Sequence, residues 1–123
     1  MSRDHRKLKA FVLADDLAIR VYEATRGFPR EEQFGITSQM RRAAYSAPSN
    51  IVEGCGRHST RDFLRFLDSA LGSLRELGYF ISLAHRLGYL DAEQARALSE
   101  AQDEAARVLA GVISSLRRDD ADV

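Results

Sequence analysis

The sequence contains a single cysteine, Cys55, which excludes an internal disulfide. A chain without disulfides fits a reducing compartment, and no signal-peptide pattern is found near the N-terminus, so we expect a cytoplasmic protein. No apolar run approaches the roughly 20 residues that a membrane-spanning helix needs, so no membrane partner is expected. The chain has no tryptophan and only 8% aromatic residues, which predicts a mostly aliphatic core.

The chain also lacks net charge, because 18 lysines and arginines balance 18 acidic residues. A neutral chain has no overall attraction to nucleic acid or to a membrane surface. The charges are nonetheless segregated. Residues 41–65 hold five arginines against two acids, a net charge of +3, whereas residues 91–104 hold five acids against one arginine, a net charge of −4. We interpret these stretches as solvated helix faces or as partners in acid–base pairing between helices or subunits.

Hydrophobic residues recur at helical spacing in four segments, and no segment shows the alternation typical of a strand. Short connections between the segments favour antiparallel neighbours. We therefore predict an all-α fold, an antiparallel up-down four-helix bundle. The bundle forms one domain over residues 1–123, with a charged tail from about residue 117. The predicted helices cover roughly residues 8–25, 37–55, 59–87 and 91–116.

The predicted helix boundaries rest on capping signals. Thr37, Ser59 and Asp91 are expected N-caps, and the last two are followed three residues later by Asp62 and by Gln94. Gly88 is the expected C-cap of the third helix. Within that helix, apolar residues repeat at steps of four and three, as in the seams of four-helix bundles: Phe63, Leu67, Ala70, Leu74, Leu77, Ile81 and Ala84.

The first helix is apolar on two nearly opposite sides. A helix of this kind is buried on both sides. One side, with Ala10, Leu13, Ala14, Leu17, Val21 and Ala24, is expected to face the bundle core. The other side needs a second partner, and a neighbouring copy of the chain is the natural candidate. We predict a subunit interface around Phe11, Ile19 and Tyr22.

Pro48 lies inside the second segment, in the stretch YSAPSNIVEGCGR. An interior proline costs a helix about 3 kcal/mol or forces a kink, so a loop is one possible interpretation. Small and apolar residues keep helical spacing through the proline, however, which favours a helix kinked at Pro48. A phosphate-binding turn is disfavoured, because EGCGR has no Gly-Lys-Ser/Thr ending and no preceding strand.

Residue patterns for catalysis or metal binding are not found. The chain has no Gly-x-Ser-x-Gly motif, and Cys55 has no recognisable base partner. Cys55 and His58 are a lone pair of candidate ligands, and a structural zinc site needs two such pairs. We therefore predict a protein that is not an enzyme and has no metal, no cofactor and no small-molecule substrate.

Two polar sets could carry function. Arg42, Asn50 and Glu53 are interpreted as a structural motif that fixes the kink and the helix register, with ligand or partner binding as the alternative. The second set contains five arginines that could contact RNA or DNA phosphates, each contact adding a salt-sensitive increment. It could equally pair with the acidic fourth helix. Its members are Arg41, Arg42, Arg57, Arg61 and Arg65.

The pieces FPREE, TSQMRRAA, PSNIVEG, FLRFLDSALGSLRELG and RLGYL resemble a known family in order and spacing. These are the four-helix bundle proteins named after reading frames in intervening sequences of bacterial 23S rRNA genes. The resemblance implies an antiparallel four-helix bundle with a proline kink in the second helix. It also implies a homo-oligomer, with a five-membered ring as the usual assembly.

A related branch of this family acts as the accessory protein of diversity-generating retroelements, in which a basic ring engages nucleic acid and a reverse transcriptase. The neutral charge of this chain departs from that branch. The leading hypothesis is therefore a non-enzymatic, homo-oligomeric scaffold, for which the resemblance implies a pentameric ring. The alternative is an accessory protein that binds RNA or DNA through the arginine-rich face.

Overall fold

The computed structural model describes residues 3–121, and within them the chain forms four α-helices and no strand. The helices are α1 (Lys9–Thr25), α2 (Ile36–Cys55), α3 (Thr60–Arg86) and α4 (Ala92–Ala121). Single 3-10 turns lie at His5–Lys7 and Arg30–Glu32. The predicted all-α fold is confirmed. None of the described helices is long and apolar enough to cross a membrane.

Each helix packs against two neighbours, since α1 and α3 both contact α2 and α4. The helices therefore stand at the four corners of a bundle. Between α2 and α3, Ser46 lies against Ser73, whereas the later residue Gly54 lies against the earlier residue Phe66. Contacts in this opposite chain order are those expected of antiparallel neighbours.

The core is aliphatic and rich in alanine, as predicted from the low aromatic content. Phe63 is the one aromatic side chain with less than 2% exposure among residues 3–121. The predicted seam of α3 is buried at every position, from Phe63 to Ala84. On α4 the buried apolar residues are Ala95, Leu98, Ala105, Leu109 and Ile113.

The helix α2 runs without interruption through the buried Pro48, so the loop interpretation is wrong. A kink at Pro48 stays a prediction. The start of α2 also differs from expectation, because Gly35 and not Thr37 is the N-cap. Thr37 lies in the first turn with its side chain buried. The helix begins before Thr37 because the apolar side chain of Ile36 packs into the core.

A side chain at the N-cap of α2 would meet Glu32. A Cβ at residue 35 would lie 2.5 Å from Glu32 Oε1. Glu32 is held in place because the Tyr89 hydroxyl donates to its Oε2 at 2.8 Å, and this bond raises the pKa of Tyr89. Tyr89 also packs against Phe28, with ring centroids 5.5 Å apart. The α1–α2 and α3–α4 connections are thereby joined at one end of the bundle.

The predicted N-caps of α3 and α4 are confirmed, whereas the C-cap of α3 is Leu87 and not Gly88, which follows it. Ser59 Oγ accepts from the Asp62 N–H at 3.1 Å. Asp91 and Gln94 cap each other reciprocally, with bonds of 2.8 and 2.9 Å. Gly88 has a φ of +81°, and its N–H donates to the His85 carbonyl, as in a Schellman ending.

The end of α4 lies beyond the position expected from sequence. The charged residues from 117 onward continue the helix through Ala121, where a tail was predicted. Arg117 forms an ion pair with Asp68 on α3, which holds this part of α4 against the bundle. The last turns of α4 therefore belong to the bundle and contribute to its surface.

The end of the bundle opposite Tyr89 is covered by the segment that begins at Arg3. The Arg3 N–H donates to the Cys55 carbonyl at 2.8 Å, and the Arg3 guanidinium lies 4.1 Å from the centroid of the Phe63 ring. Cys55 is buried beneath this segment, and its burial raises the pKa of the thiol. A buried thiol with a raised pKa is an inert core residue and not a nucleophile.

Candidate subunit interface and arginine surface

Three apolar side chains of α1 point into solvent on the single chain. Val12, Ile19 and Tyr22 are 53%, 58% and 38% exposed. Phe11, the third residue of the predicted interface, is half-buried, and its ring meets His5 with centroids 4.7 Å apart. Ile19 and Tyr22 are therefore available to a partner, whereas Phe11 already has one within the chain.

The Tyr22 ring packs against the guanidinium group of Arg41. The Arg41 guanidinium lies 4.7 Å from the centroid of the Tyr22 ring, and Arg41 Nε donates to Thr25 Oγ1 at 2.8 Å. The Thr25 hydroxyl in turn donates to the Val21 carbonyl at 2.8 Å. Arg41 is half-buried in this setting, and no carboxylate of the described residues lies within 4 Å of it.

We call the surface formed by Ile19, Tyr22, Arg41 and Tyr45 the α1–α2 face. Tyr45 is 50% exposed and lies one helical turn beyond Arg41 on α2. The face thus combines apolar and aromatic groups with a fixed cation whose remaining N–H groups are unpaired within residues 3–121. This composition resembles the centres of protein–protein interfaces, where tyrosine and arginine are enriched.

The polar motif predicted from Arg42, Asn50 and Glu53 makes separate contacts. Asn50 Nδ2 donates to the carbonyl and hydroxyl oxygens of Ser46, at 2.9 and 3.1 Å. Ser73 of α3 donates to the same hydroxyl at 3.0 Å, so this network links two helices. Glu53 pairs instead with Arg57, and Arg42 is exposed with no polar contact in the described chain.

The structure separates the five predicted nucleic-acid contacts into two groups. Arg57, Arg61 and Arg65 lie where α2 ends and α3 begins, a surface we call the α2–α3 corner. Arg41 lies 14 residues before the end of α2, which is about 21 Å along the helix axis at 1.5 Å per residue. Arg41 and Arg42 therefore lie away from the three arginines of the corner.

Two arginines of the corner are paired within their own region. Arg57 contacts Glu53 at 2.6 Å, and Arg65 contacts Asp62 at 3.7 Å. Both guanidinium groups also lie over the Phe66 ring, at 4.6 and 5.1 Å from its centroid. These pairs reduce the net positive charge of the corner, and the aromatic contacts fix the direction of both side chains.

Arg61 is the exception in the corner. It is exposed, and no carboxylate among residues 3–121 lies within 4 Å of it. It lines a groove of about 610 Å³ between the start of α3 and the end of α4. Because three aspartates share this groove with Arg61, Arg65 and Arg117, the groove has no net charge.

The acidic stretch of α4 does not pair with the five predicted arginines. The alternative that these arginines pair with the fourth helix of the same chain is therefore wrong. Glu100 pairs with Arg96 at 3.3 Å and Asp103 with Arg107 at 2.8 Å, both within α4. Glu104 is exposed and has no ion pair in the described structure. The acidic side of α4 therefore remains open toward solvent.

The acidic side borders a second groove, which lies between α1 and α4 and which we call the α1–α4 groove. Its volume is about 270 Å³, and Arg20, Ala97, Glu100, Ala101 and Glu104 line it. The two alanines are half-buried and give the groove a floor of small side chains. The charge of Arg20 is opposed by Asp16, 4.0 Å away on α1, so the rim is acidic overall.

The family model of the 23S rRNA-intervening sequence protein matches residues 6–111. The chain belongs to this family. This confirms the resemblance found in the sequence, and the match includes every residue of the α1–α2 face and of the predicted arginine set. Arg3 and Arg117, which contact the α2–α3 corner and its groove, lie outside the matched residues.

One solved structure similar to this family member is the crystal structure of a protein of unknown function from the S23 ribosomal protein family of Bacteroides thetaiotaomicron. It is 24% identical, with a TM-score of 0.76, over 85% of this chain and 97% of that one. At this identity the likeness shows the shared fold alone. No curated protein matches the chain.

The side chains that could ligate a metal are dispersed over residues 3–121 of this family member. No group of three or more histidine, cysteine, aspartate or glutamate side chains is placed to hold an ion there. Two contacts were missed from the sequence: Arg3 packs on Phe63, and Ser73 donates a hydrogen bond to Ser46. Neither has a sequence signal, because both pair residues that are far apart in the chain.

Proposed function

We propose that this protein is a non-enzymatic, homo-oligomeric scaffold in the cytoplasm, whose copies meet through the α1–α2 face. The observation that carries the proposal is the exposure of Ile19 and Tyr22 on a helix whose other side is fully packed in the core. Scattered exposed apolar residues are normal on protein surfaces. Here they lie beside Arg41, which is held in place by Tyr22 and Thr25 and has no acidic partner among residues 3–121.

The five-membered ring implied by the family resemblance fits this surface. Copies in a closed ring meet head to tail, so each copy uses two different surfaces. The α1–α2 face supplies one of them. A bundle of this kind offers rigid helices at fixed positions, which suits a scaffold that presents binding surfaces to other molecules.

Replacing Ile19 by glutamate is expected to dissociate the assembly into single chains of 13.8 kDa. The reason is that a charge placed in the dry centre of an interface has to be desolvated without a partner. Light scattering coupled to size-exclusion chromatography measures the mass directly. Tyr79→Glu is the matched control, because Tyr79 is 56% exposed, close to the 58% of Ile19, and lies on α3.

The control should leave the mass of the assembly unchanged. A wild-type chain that elutes at 13.8 kDa at all concentrations contradicts the scaffold proposal. An assembly that survives Ile19→Glu but not Tyr79→Glu places the interface on α3 and contradicts the role of the α1–α2 face.

A second candidate function is the binding of RNA or DNA at the α2–α3 corner. It is favoured by Arg61, which has no ion pair among residues 3–121 and lies in sequence between two arginines held over the Phe66 ring. Guanidinium groups fixed in this way can contact successive phosphates. In a ring, such a corner would be repeated once in every subunit.

For this second function, Arg61→Glu is expected to weaken binding of a structured RNA about tenfold and to lower the slope of log affinity against log salt by about 1. Fluorescence anisotropy across a salt series provides both values. Arg75→Glu is the control, since Arg75 is exposed on α3 away from the corner. Equal losses for the two variants, or no binding by the wild type at low salt, would rule the corner out.

A further inference from the structure

The strongest unexplained features of residues 3–121 are a cation without an anion on one side and an anion without a cation on another. Arg41 is fixed on the α1–α2 face by Thr25 and Tyr22 but has no carboxylate partner among the described residues. Glu104 stands on the rim of the α1–α4 groove, also without an ion pair in the described chain. The two groups lie on different sides of the same bundle, so they cannot meet within one molecule.

We infer that the second surface of the assembly is the α1–α4 groove, and that Arg41 of one copy pairs with Glu104 of the next copy. This inference rests on the proposed homo-oligomeric scaffold and names the surface that receives the α1–α2 face. A head-to-tail contact joins two different surfaces, and here one surface supplies a cation and the other an anion. The pairing is compatible with the zero net charge of the chain.

The shape of the groove supports the same pairing. Its floor consists of Ala97 and Ala101, and small side chains let a neighbouring helix approach closely and place a larger side chain in the depression. The opposing α1–α2 face offers Tyr22 and Tyr45, which are 38% and 50% exposed. An apolar floor with an acidic rim thus meets aromatic side chains accompanied by a cation.

The positions of the two surfaces are compatible with a closed ring. Both include α1, which packs on α2 on one side and on α4 on the other. Adjacent sides of a four-helix bundle face directions roughly 90° apart. The two neighbours of a subunit in a five-membered ring lie about 108° apart, so the two faces can close a small ring after a modest rotation. Surfaces on opposite sides of the bundle would instead give an open filament.

The proposed charge pairing also predicts that Arg42 and Glu100 contribute to the contact between copies. Arg42 is exposed beside Arg41 and has no polar contact in residues 3–121. Glu100 is on the same groove rim as Glu104, and its contact with Arg96 is an exposed pair that contributes little. These two residues extend the charged contact at its edge and make assembly sensitive to salt.

The test is a charge swap in the full chain. Arg41→Glu and Glu104→Arg are each expected to raise the dissociation constant of the assembly at least about tenfold, because each places like charges opposite one another. The double variant, Arg41→Glu with Glu104→Arg, should return to within about threefold of the wild type. Sedimentation velocity over a concentration series measures all four proteins, and Arg75→Glu controls for the change in net charge.

Arg41 also contacts Thr25 within its own chain, so Arg41→Glu alone could act by loosening α1. Glu104→Arg avoids this difficulty, since Glu104 is exposed and has no ion pair to lose. A wild-type-like assembly of the Glu104→Arg variant, or a double variant no stronger than the singles, overturns the inference. If Ile19→Glu still dissociates the assembly in that case, the scaffold proposal stands and only the second surface is wrong. A monomeric wild type overturns both.

Discussion

Gly54→Val is expected to lower the free energy of unfolding by about 3 kcal/mol. A Cβ at residue 54 would lie 2.9 Å from Phe66 Cβ and 3.1 Å from Phe63 Cδ1. The Phe66 Cβ is attached directly to the backbone of α3, so the clash can be relieved only if α2 moves away from α3. That movement would open contacts along the most closely packed pair of helices.

Gly72→Val is the matched control for this prediction. Gly72 is an exposed glycine of α3, and no atom lies within 4 Å of the position that its Cβ would take. The helix propensities of glycine and valine differ by only a few tenths of a kcal/mol, so a change of less than about 0.5 kcal/mol is expected. Urea unfolding followed by circular dichroism at one protein concentration measures both variants. Equal destabilisation would contradict the close-approach explanation.

Leu74→Ala is expected to cost about 3 kcal/mol of unfolding free energy, within the range for buried leucines. Leu74 is completely buried in the seam of α3. Its carbonyl also accepts a hydrogen bond of 2.8 Å from Gln102 Nε2 of α4, which passes close to Gly78. The cavity left by the substitution would therefore lie where α3 and α4 are joined by both apolar and polar contacts.

Leu87→Ala removes the same atoms from a side chain that is 49% exposed. It is expected to change the unfolding free energy by no more than about 0.5 kcal/mol, as is usual at surface positions. Thermal and urea unfolding of the two leucine variants can be compared directly. A cost for Leu87→Ala similar to that of Leu74→Ala would mean that the single-chain burial of these residues does not describe the protein in solution.

The features predicted correctly from sequence depend on neighbours in the chain. The seam of α3 follows from steps of three and four residues, and the Asp91–Gln94 cap from a spacing of three. Gly88 could be predicted as a helix ending because few other residues adopt a positive φ. These signals are local, so a sequence carries them in full.

The features that were missed depend on distant parts of the chain. The N-cap of α2 moved from Thr37 to Gly35 because Ile36 is buried and Glu32 is held by Tyr89.

The candidate site also has features that the sequence could predict and features that only the fold reveals. Exposure of Ile19 and Tyr22 could be expected, since the first helix has more apolar surface than one core can cover. The grouping of five arginines was an effect of their closeness in sequence, and α2 separates two of them from the other three by its own length. Contacts such as Arg41 with Thr25 join different helices, so only the fold reveals them.

The two ends of the bundle are closed by different contacts. One is closed by the Tyr89–Glu32 bond between connections, and the other holds Arg3 beside Cys55 and Arg117 beside Asp68. In a ring whose bundles stand parallel to its symmetry axis, every subunit would place Arg3 and Arg117 on the same rim. A peptide or domain fused to either end would then be displayed in as many copies as the ring has subunits, and its avidity for a repeated target would increase accordingly.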